Sequence, residues 1–189
     1  MSVTVVDAPP ADVAGAAWDL YGAAFVELAA FAVQRHLMFR TEFDGVMTDK
    51  RVRKYLSFDR AGGLRGLSTF TNDLAAMPLV SPEYFQRRWP RHFVERRVWY
   101  CGFVAVADSA RGSTAFGELV EAMYRTAEEH DGVIGLDLCE HNDQTRHLSR
   151  VIGLLLHRVS RGKVRTERAD IQQFWTYETA PDDQKVGMA

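Results

Sequence analysis

The residues best suited to chemistry lie in two apolar runs and in the turn between them. Asp137 interrupts one run, with Val133-Ile134-Gly135-Leu136 before it and Leu138-Cys139 after it. A carboxylate there needs a partner or a raised pKa, and either makes it a candidate base; the competing reading is a structural aspartate paired with an arginine. Tyr100 stands within the other run, Arg-Val-Trp-Tyr-Cys-Gly-Phe-Val-Ala-Val-Ala. Its phenol is an acid, a holder of water, or a core hydroxyl satisfied by the protein. The turn 108–113, which contains Arg111, Gly112 and Ser113, feeds a helix beginning near Thr114 and Ala115. A glycine-bearing turn before a helix presents unpaired N–H groups and a positive dipole end, which suits a phosphate. Arg111 adds a charge-assisted contact, and an ordinary strand-to-helix connection is the plain alternative. Glu42 and Asp44, in Arg-Thr-Glu-Phe-Asp-Gly, are either acids facing a substrate or solvated helix-end charges. Cys139 lacks a glycine-rich elbow and reads as a structural thiol rather than a nucleophile. The 6 histidines show no metal-ligand spacing, so no metal is expected.

These residues sit in an average globular chain. With 189 residues, 47% of them hydrophobic and 25% charged, it can bury one core, so a single domain over residues 1–180 is expected with a frayed tail at 181–189. A net charge of −2 gives no electrostatic case for a nucleic-acid partner. Both cysteines, Cys101 and Cys139, lie in apolar surroundings, where reduced packed thiols are found, which excludes a disulfide framework. The opening residues lack a basic stretch followed by an apolar one, and no apolar run approaches a membrane span, so a cytoplasmic protein without membrane contact is expected.

The elements that must position these groups follow from periodicity. Val3-Thr4-Val5-Val6 predicts a strand that stops at Pro9-Pro10. From Asp12, read as an N-cap, residues 12–37 predict the longest helix, and 34–47 a second that is continuous with it or kinked from it. Residues 53–59 and 64–71 alternate around Gly62-Gly63, an antiparallel hairpin. A loop-rich insert with a short helix at Ser81-Pro82-Glu83 follows. Residues 97–107 predict a strand buried on both faces, 114–130 an amphipathic helix, and 133–139 a second buried strand. A helix through Leu148, Val151 and Ile152 then stops near Gly153. Leu154-Leu155-Leu156 begins another strand, and 171–178 pairs back on it.

This order of elements resembles the GNAT acyltransferase superfamily. Its members follow a central strand with an Arg/Gln-x-x-Gly-x-Gly/Ala turn around the pyrophosphate of coenzyme A, and Arg111-Gly112-Ser113-Thr114-Ala115-Phe116 lies in that place. Thr114 stands where the family usually has glycine, and Phe116 where it has a small residue. After the next strand the family has Asn-x-x-Ala, Leu-Tyr and Leu-Gly-Phe; here Asn142, Thr145, Leu148-Ser149 and Ile152-Gly153-Leu154 hold those places, with Ser149 in place of the tyrosine that protonates the departing thiolate in many members. The resemblance implies an α/β (α+β) fold: a mixed, mostly antiparallel sheet whose parallel central strands splay apart, with helices on both faces. It also implies transfer of an acetyl or larger acyl group from acetyl-CoA or another acyl-CoA to an amine of a small-molecule acceptor, by direct attack. Asp137, Tyr100 and Glu42 would then be the catalytic candidates. Val104, Val106, Arg111, Gly112, Ser113, Thr114, Ala115 and Asn142 would hold the coenzyme A.

Arg87, Arg88, Arg91, Arg96 and Arg97, and a second group at Arg158, Arg161, Lys163, Arg165 and Arg168, are solvated faces or an anion-binding rim for the nucleotide end of coenzyme A or for an acidic acyl carrier protein. Glu42, Asp44, Tyr55-Leu56, residues 66–69, Met77-Pro78, Phe85 and Pro90 are loosely similar to the acyl-homoserine-lactone and N-acyl amino acid synthase branch, whose donor is acyl carrier protein. The internal arginine that branch has after its third strand is missing, since Ser68-Thr69-Phe70 stands there. A GNAT-fold protein without transfer chemistry, serving as a binding or scaffold module, is the competing class. Splayed central strands with a bulge near residues 102–104 favour the enzyme over the module. The aromatic insert Tyr84, Phe85, Trp89 and Phe93 is a candidate homodimer interface.

Overall fold

The computed structural model describes residues 3–35, 37–78, 80–107 and 114–179. Strands β1 (Val3–Val6), β2 (Arg53–Phe58), β3 (Leu64–Thr71), β4 (Val98–Val106) and β5 (Val133–Leu136) form one sheet in that order. The first four are antiparallel neighbours, and β5 runs parallel to β4. Helices α1 (Ala11–Phe25) and α3 (Arg40–Thr48), joined through the short α2 (Leu28–Phe31), supply the apolar cover of one face. The insert before β4 holds α4 (Pro82–Arg88) and α5 (Pro90–Val94), and α6 (Ala115–Glu128) covers the other face. After β5 come α7 (Glu140–Arg146) and α8 (Leu148–Val159), the latter packed on α6. This is the mixed, mostly antiparallel sheet with helices on both faces that the sequence predicts.

Local chemistry explains the elements read correctly. The hairpin turns at Gly62, whose φ of +87° suits a residue without Cβ, and the Asp59 carboxylate accepts from the N–H groups of Ala61 and Gly63 at 2.8 Å each. Ser81 caps α4 by accepting from Tyr84 N–H at 3.3 Å, with Pro82 as the first helical residue. On α6 the apolar stripe Leu119, Val120, Met123, Tyr124 and Ala127 is buried, as its spacing requires.

Six expectations need correction. Asp12 is not the N-cap of the first helix: Pro10 occupies that position and Asp12 sits in the first turn, where its charge favours the dipole. That helix does not reach residue 37 either. Met38 N–H donates to Tyr21 Oη at 3.0 Å, so the chain folds back over α1 before α3 starts at Arg40. Beyond β4, the strand expected over 133–139 ends at Leu136, and Asp137 lies outside it, exposed. Gly153 does not stop a helix: α8 runs through it to Val159, because Ile152, Leu155, Leu156 and Val159 repeat at helical steps and the glycine faces open space. Residues 154–156 are therefore helical, and 171–178 form no strand.

One residue decides how β4 faces its neighbours. Thr69 pairs with Phe103 and Phe70 with Cys101, so Gly102 is an extra residue opposite β3, a β-bulge. In a regular strand residues 101 and 103 share a face. Here Trp99 and Cys101 pack with Leu119 and Met123 of α6, whereas Phe103 and Ala105 pack with Tyr21 of α1 and Phe43 of α3. The bulge thus serves two cores with one strand. A Cβ on Gly102 would stand 2.7 Å from Thr69 Oγ1 and 3.0 Å from Met77 Sδ, so only glycine fits.

Candidate active site

The ladder between β4 and β5 is short. Val98, Trp99, Tyr100 and Cys101 pair with Val133, Ile134, Gly135 and Leu136, and the pairing ends there although β4 continues to Val106. Residues 103–106 keep their pairing with β3 on one edge, and residues 102–106 have no ladder partner on the other among the described residues. The bulge lies where the strands part, so twist and separation coincide. An extended ligand with amide groups can pair with that free edge as an added strand would. The bulge expected near residues 102–104 is present, and the ladder between β4 and β5 stops just before it, where β5 ends at Leu136.

At the foot of this opening two expected catalytic residues meet. Tyr100 Oη donates to Asp137 Oδ1 at 2.6 Å. Tyr100 is half-buried, with Phe85 of α4 edge-on to its ring at 6.2 Å. Gly135 permits this approach: a Cβ there would lie 3.1 Å from both Phe85 and Tyr100. Burial, and then the Asp137 charge, push the phenol far above its ordinary pKa, so it holds its proton and donates to the carboxylate. Among the described residues no arginine pairs with Asp137, whose partner is the Tyr100 phenol. Phe85 escaped the sequence reading as a support for this pair. The signal available was Gly135 inside an apolar strand, which marks close approach of another group.

The start of α6 carries a second polar cluster. Thr114 Oγ1 donates to Glu118 Oε1, Arg65 Nη2 donates to Glu118 Oε2, and Arg65 Nε donates to Ser57 Oγ at 3.0 Å. The Thr114 hydroxyl first, then Arg65, hold Glu118 below the usual carboxylate range. Arg65 is the extra residue of a second bulge, opposite the step between Ser57 and Phe58, which turns it towards α6. Ala115 is buried at the same turn, while Arg111, Gly112 and Ser113 lie outside the described residues. Val104 and Val106 pack partly against the α6-side core. On α7, Asn142 Oδ1 is buried without a hydrogen-bond partner among the described residues, and the neighbouring His141 stacks on Phe31 of α2 with ring centroids 4.4 Å apart.

Other candidates are placed elsewhere. Glu42 accepts from Phe39 N–H at 2.7 Å and from both Arg35 Nη atoms at 2.7 Å each, closing the first turn of α3. The Arg35 guanidinium, then the Phe39 N–H, hold it down to about 2, so it is an anion with its lone pairs in use. Asp44 pairs with Arg40 at 2.9 Å on the same exposed helix. Arg88, Arg96 and Arg97 pair with Glu167, Asp73 and Glu95. In the insert, Phe85 and Trp89 stack at 5.9 Å within the chain. Cys101 is buried and its thiol is pushed up to about 12, the state of an inert core thiol. Among the described residues no group of three or more His, Cys, Asp or Glu could hold a metal, and no helix is long and apolar enough to cross a membrane.

No protein-family model matches the sequence, and no curated protein matches it. Solved structures do match. A structure described as a probable acetyltransferase shares 14% identity at TM-score 0.56, over 95% of this chain and 100% of its own. An aminoglycoside 6′-N-acetyltransferase from Acinetobacter baumannii shares 10% at TM-score 0.54, over 95% and 100%. A mutant of the BH1408 protein from Bacillus halodurans shares 13% at TM-score 0.55, over 93% and 100%. The chain has the GNAT fold. At these identities the likeness is one of backbone, and it extends over almost the whole chain despite the missing terminal strands.

Proposed function

We propose that this chain transfers an acetyl or larger acyl group from an acyl-CoA to an amine of a small-molecule acceptor by direct attack. The observation that carries the reading is the free edge of residues 102–106 beyond the Gly102 bulge, with the Tyr100–Asp137 pair at its foot. The thioester arm would lie along the backbone of Val104 and Val106. Its phosphates would meet the N–H groups around Thr114 and Ala115, and Arg111, Gly112 and Ser113 from the preceding turn; Asn142 would close the far side with its unpartnered carbonyl oxygen.

Asp137 takes the proton that the attacking amine must shed, directly or through water, while Tyr100 holds the carboxylate in place. The new N–C bond forms as the C–S bond breaks, and the thiolate leaves with a proton from solvent. Holding donor and acceptor together supplies much of the rate. Glu42 has no part in this scheme, since its two oxygens cap α3 and bind Arg35. Two of the solved neighbours are described as aminoglycoside acetyltransferases, which supports an amine on a small molecule as the acceptor.

One observation favours a second donor. Glu118 already occupies the positive end of α6, and Arg65 is spent on it. That neutralised turn suits the single phosphate of a carrier-protein phosphopantetheine better than the three of coenzyme A. Calorimetric titration with acetyl-CoA and with coenzyme A, beside Arg111→Ala, separates the two. Micromolar binding weakened by the substitution is expected; no binding at millimolar concentration would overturn the coenzyme A donor.

A further inference from the structure

The break between α4 and α5 opens a cavity that acyl transfer does not use. Pro90 cannot continue α4, so the chain kinks at Trp89, and Arg97 N–H then donates to His92 O at 2.7 Å, which folds α5 against the start of β4. Arg88, Trp89, Arg91, His92, Arg97 and Asp131 line a cavity of about 330 Å³ there, within the size range of small-molecule sites. It precedes Val98, whereas the turn that carries Arg111 follows Val106, so the two places belong to opposite ends of β4.

Arg97 gives the cavity a directional donor. Its two Nη groups are held by Glu95 and by Asp131, the latter at 3.1 Å, whereas Nε is buried with no hydrogen-bond partner among the described residues. A buried N–H without an acceptor is costly and rare in folded proteins, so it marks the place of an acceptor atom. Arg88 is paired with Glu167, while Arg91 is exposed and pairs with no carboxylate among the described residues. The three carboxylates offset the paired arginines, and Arg91 supplies charge for one negative group rather than several. Trp89 adds a half-buried apolar wall, with the Arg88 guanidinium 5.7 Å from its ring centroid.

We propose that this cavity binds a small aromatic carboxylate, whose oxygens accept from Arg97 Nε and Arg91 and whose ring lies against Trp89. Trp89 stacks in turn on Phe85 at 5.9 Å, and Phe85 meets Tyr100 at 6.2 Å, so the wall of this cavity is one ring away from the Tyr100–Asp137 pair. The binding is independent of the acyl transfer proposed above.

Titration of the ¹⁵N-labelled full chain with benzoate, acetate and inorganic phosphate, read by NMR at Arg97 Nε–H and the Trp89 indole N–H, tests it. Benzoate is expected to shift both signals saturably at about millimolar concentration, with acetate and phosphate about tenfold weaker because neither covers the ring. Arg91→Gln, an exposed change that leaves circular dichroism as it is, should weaken benzoate about tenfold. Trp89→Leu should bring benzoate down to the level of acetate, and Arg111→Ala should change nothing. Signals that benzoate leaves unmoved, acetate or phosphate binding as tightly as benzoate, equal affinity in Arg91→Gln, or loss of binding in Arg111→Ala would each overturn the proposal, the last by moving the ligand to the turn before α6.

Discussion

Strands β2, β3 and β4 are covered on both faces, whereas from β5 onward Ser160 alone is buried among the described residues. In the covered part Tyr55, Leu56, Leu67, Phe70, Trp99 and Ala105 are shut away from water. Even the Lys54 ammonium is inside, donating to the carbonyls of Asp7, Asp49 and Val52 at 2.8, 2.7 and 2.7 Å. The other part has Leu136, Val151 and Leu154 in solvent and a loose chain after α8. The deeply buried side chains therefore lie in β1 to α6, and the later elements, laddered on β4 and packed on α6, bury their side chains only in part. The Tyr100–Asp137 pair bridges the two regions, one residue from each. A rigid strand edge beside a lightly held wall is a setting in which a ligand can be admitted and then gripped.

The widest difference should appear in large-to-small substitutions. Trp99→Ala removes a ring stacked on Phe70 at 5.0 Å and should cost about 3–5 kcal/mol in chemical denaturation. Leu154→Ala in α8 should cost less than about 0.5 kcal/mol, and equal losses would erase the contrast. Lys54→Met comes next, at about 3 kcal/mol, because one buried and two partly buried carbonyls lose their donor. It also alters the pH profile. Burial pulls Lys54 down to about 8, so between pH 8 and the ordinary lysine range the unfolded chain binds more protons than the folded one. Stability should rise with pH across that window, as read by denaturant midpoints, and the rise should vanish in Lys54→Met.

Gly102→Ala tests the boundary itself. The new Cβ meets Thr69 Oγ1 at 2.7 Å, so the bulge must shift, at a cost of about 1–3 kcal/mol. Because the bulge aims the free edge, acyl transfer should fall further than stability does. The smallest effect belongs to Glu42. Its carboxylate is held down to about 2, so its support of α3 is complete above the ordinary glutamate range and is lost as pH falls through about 2. A carbon-detected NMR titration of its carboxyl should show that midpoint, with Arg35→Gln moving it up.

Much of the covered half can be read from residues alone, because its signals are local. Gly62-Gly63 between alternating runs names a hairpin, and Leu119, Met123 and Ala127 name a helix face. The late elements are harder because nothing buries them deeply enough to impose a pattern. Gly153 looks like a stop only if helix interiors exclude glycine, and 171–178 reads as a strand although it pairs with no strand among the described residues. Asp137 is conspicuous for breaking an apolar run, yet its exposure follows from where β5 ends, a tertiary fact. Glu42 shows the reverse: its residue type fits catalysis, and only the position of Arg35 reveals that its lone pairs are occupied. The pairing of Tyr100 with Asp137 spans 37 positions and depends on the parallel register of β4 and β5, which no spacing rule contains.

We propose a site for thioester acyl transfer at the free edge of β4 and the Tyr100–Asp137 pair. Its most direct test is thiol release from acetyl-CoA in the presence of a panel of small amines, aminoglycosides included, with the wild-type chain and Asp137→Asn. The account predicts amine-dependent release that Asp137→Asn lowers about 10²–10⁴-fold in kcat, with the melting temperature unchanged. Release that does not depend on any amine, or an Asp137→Asn chain that keeps the wild-type rate, would contradict it.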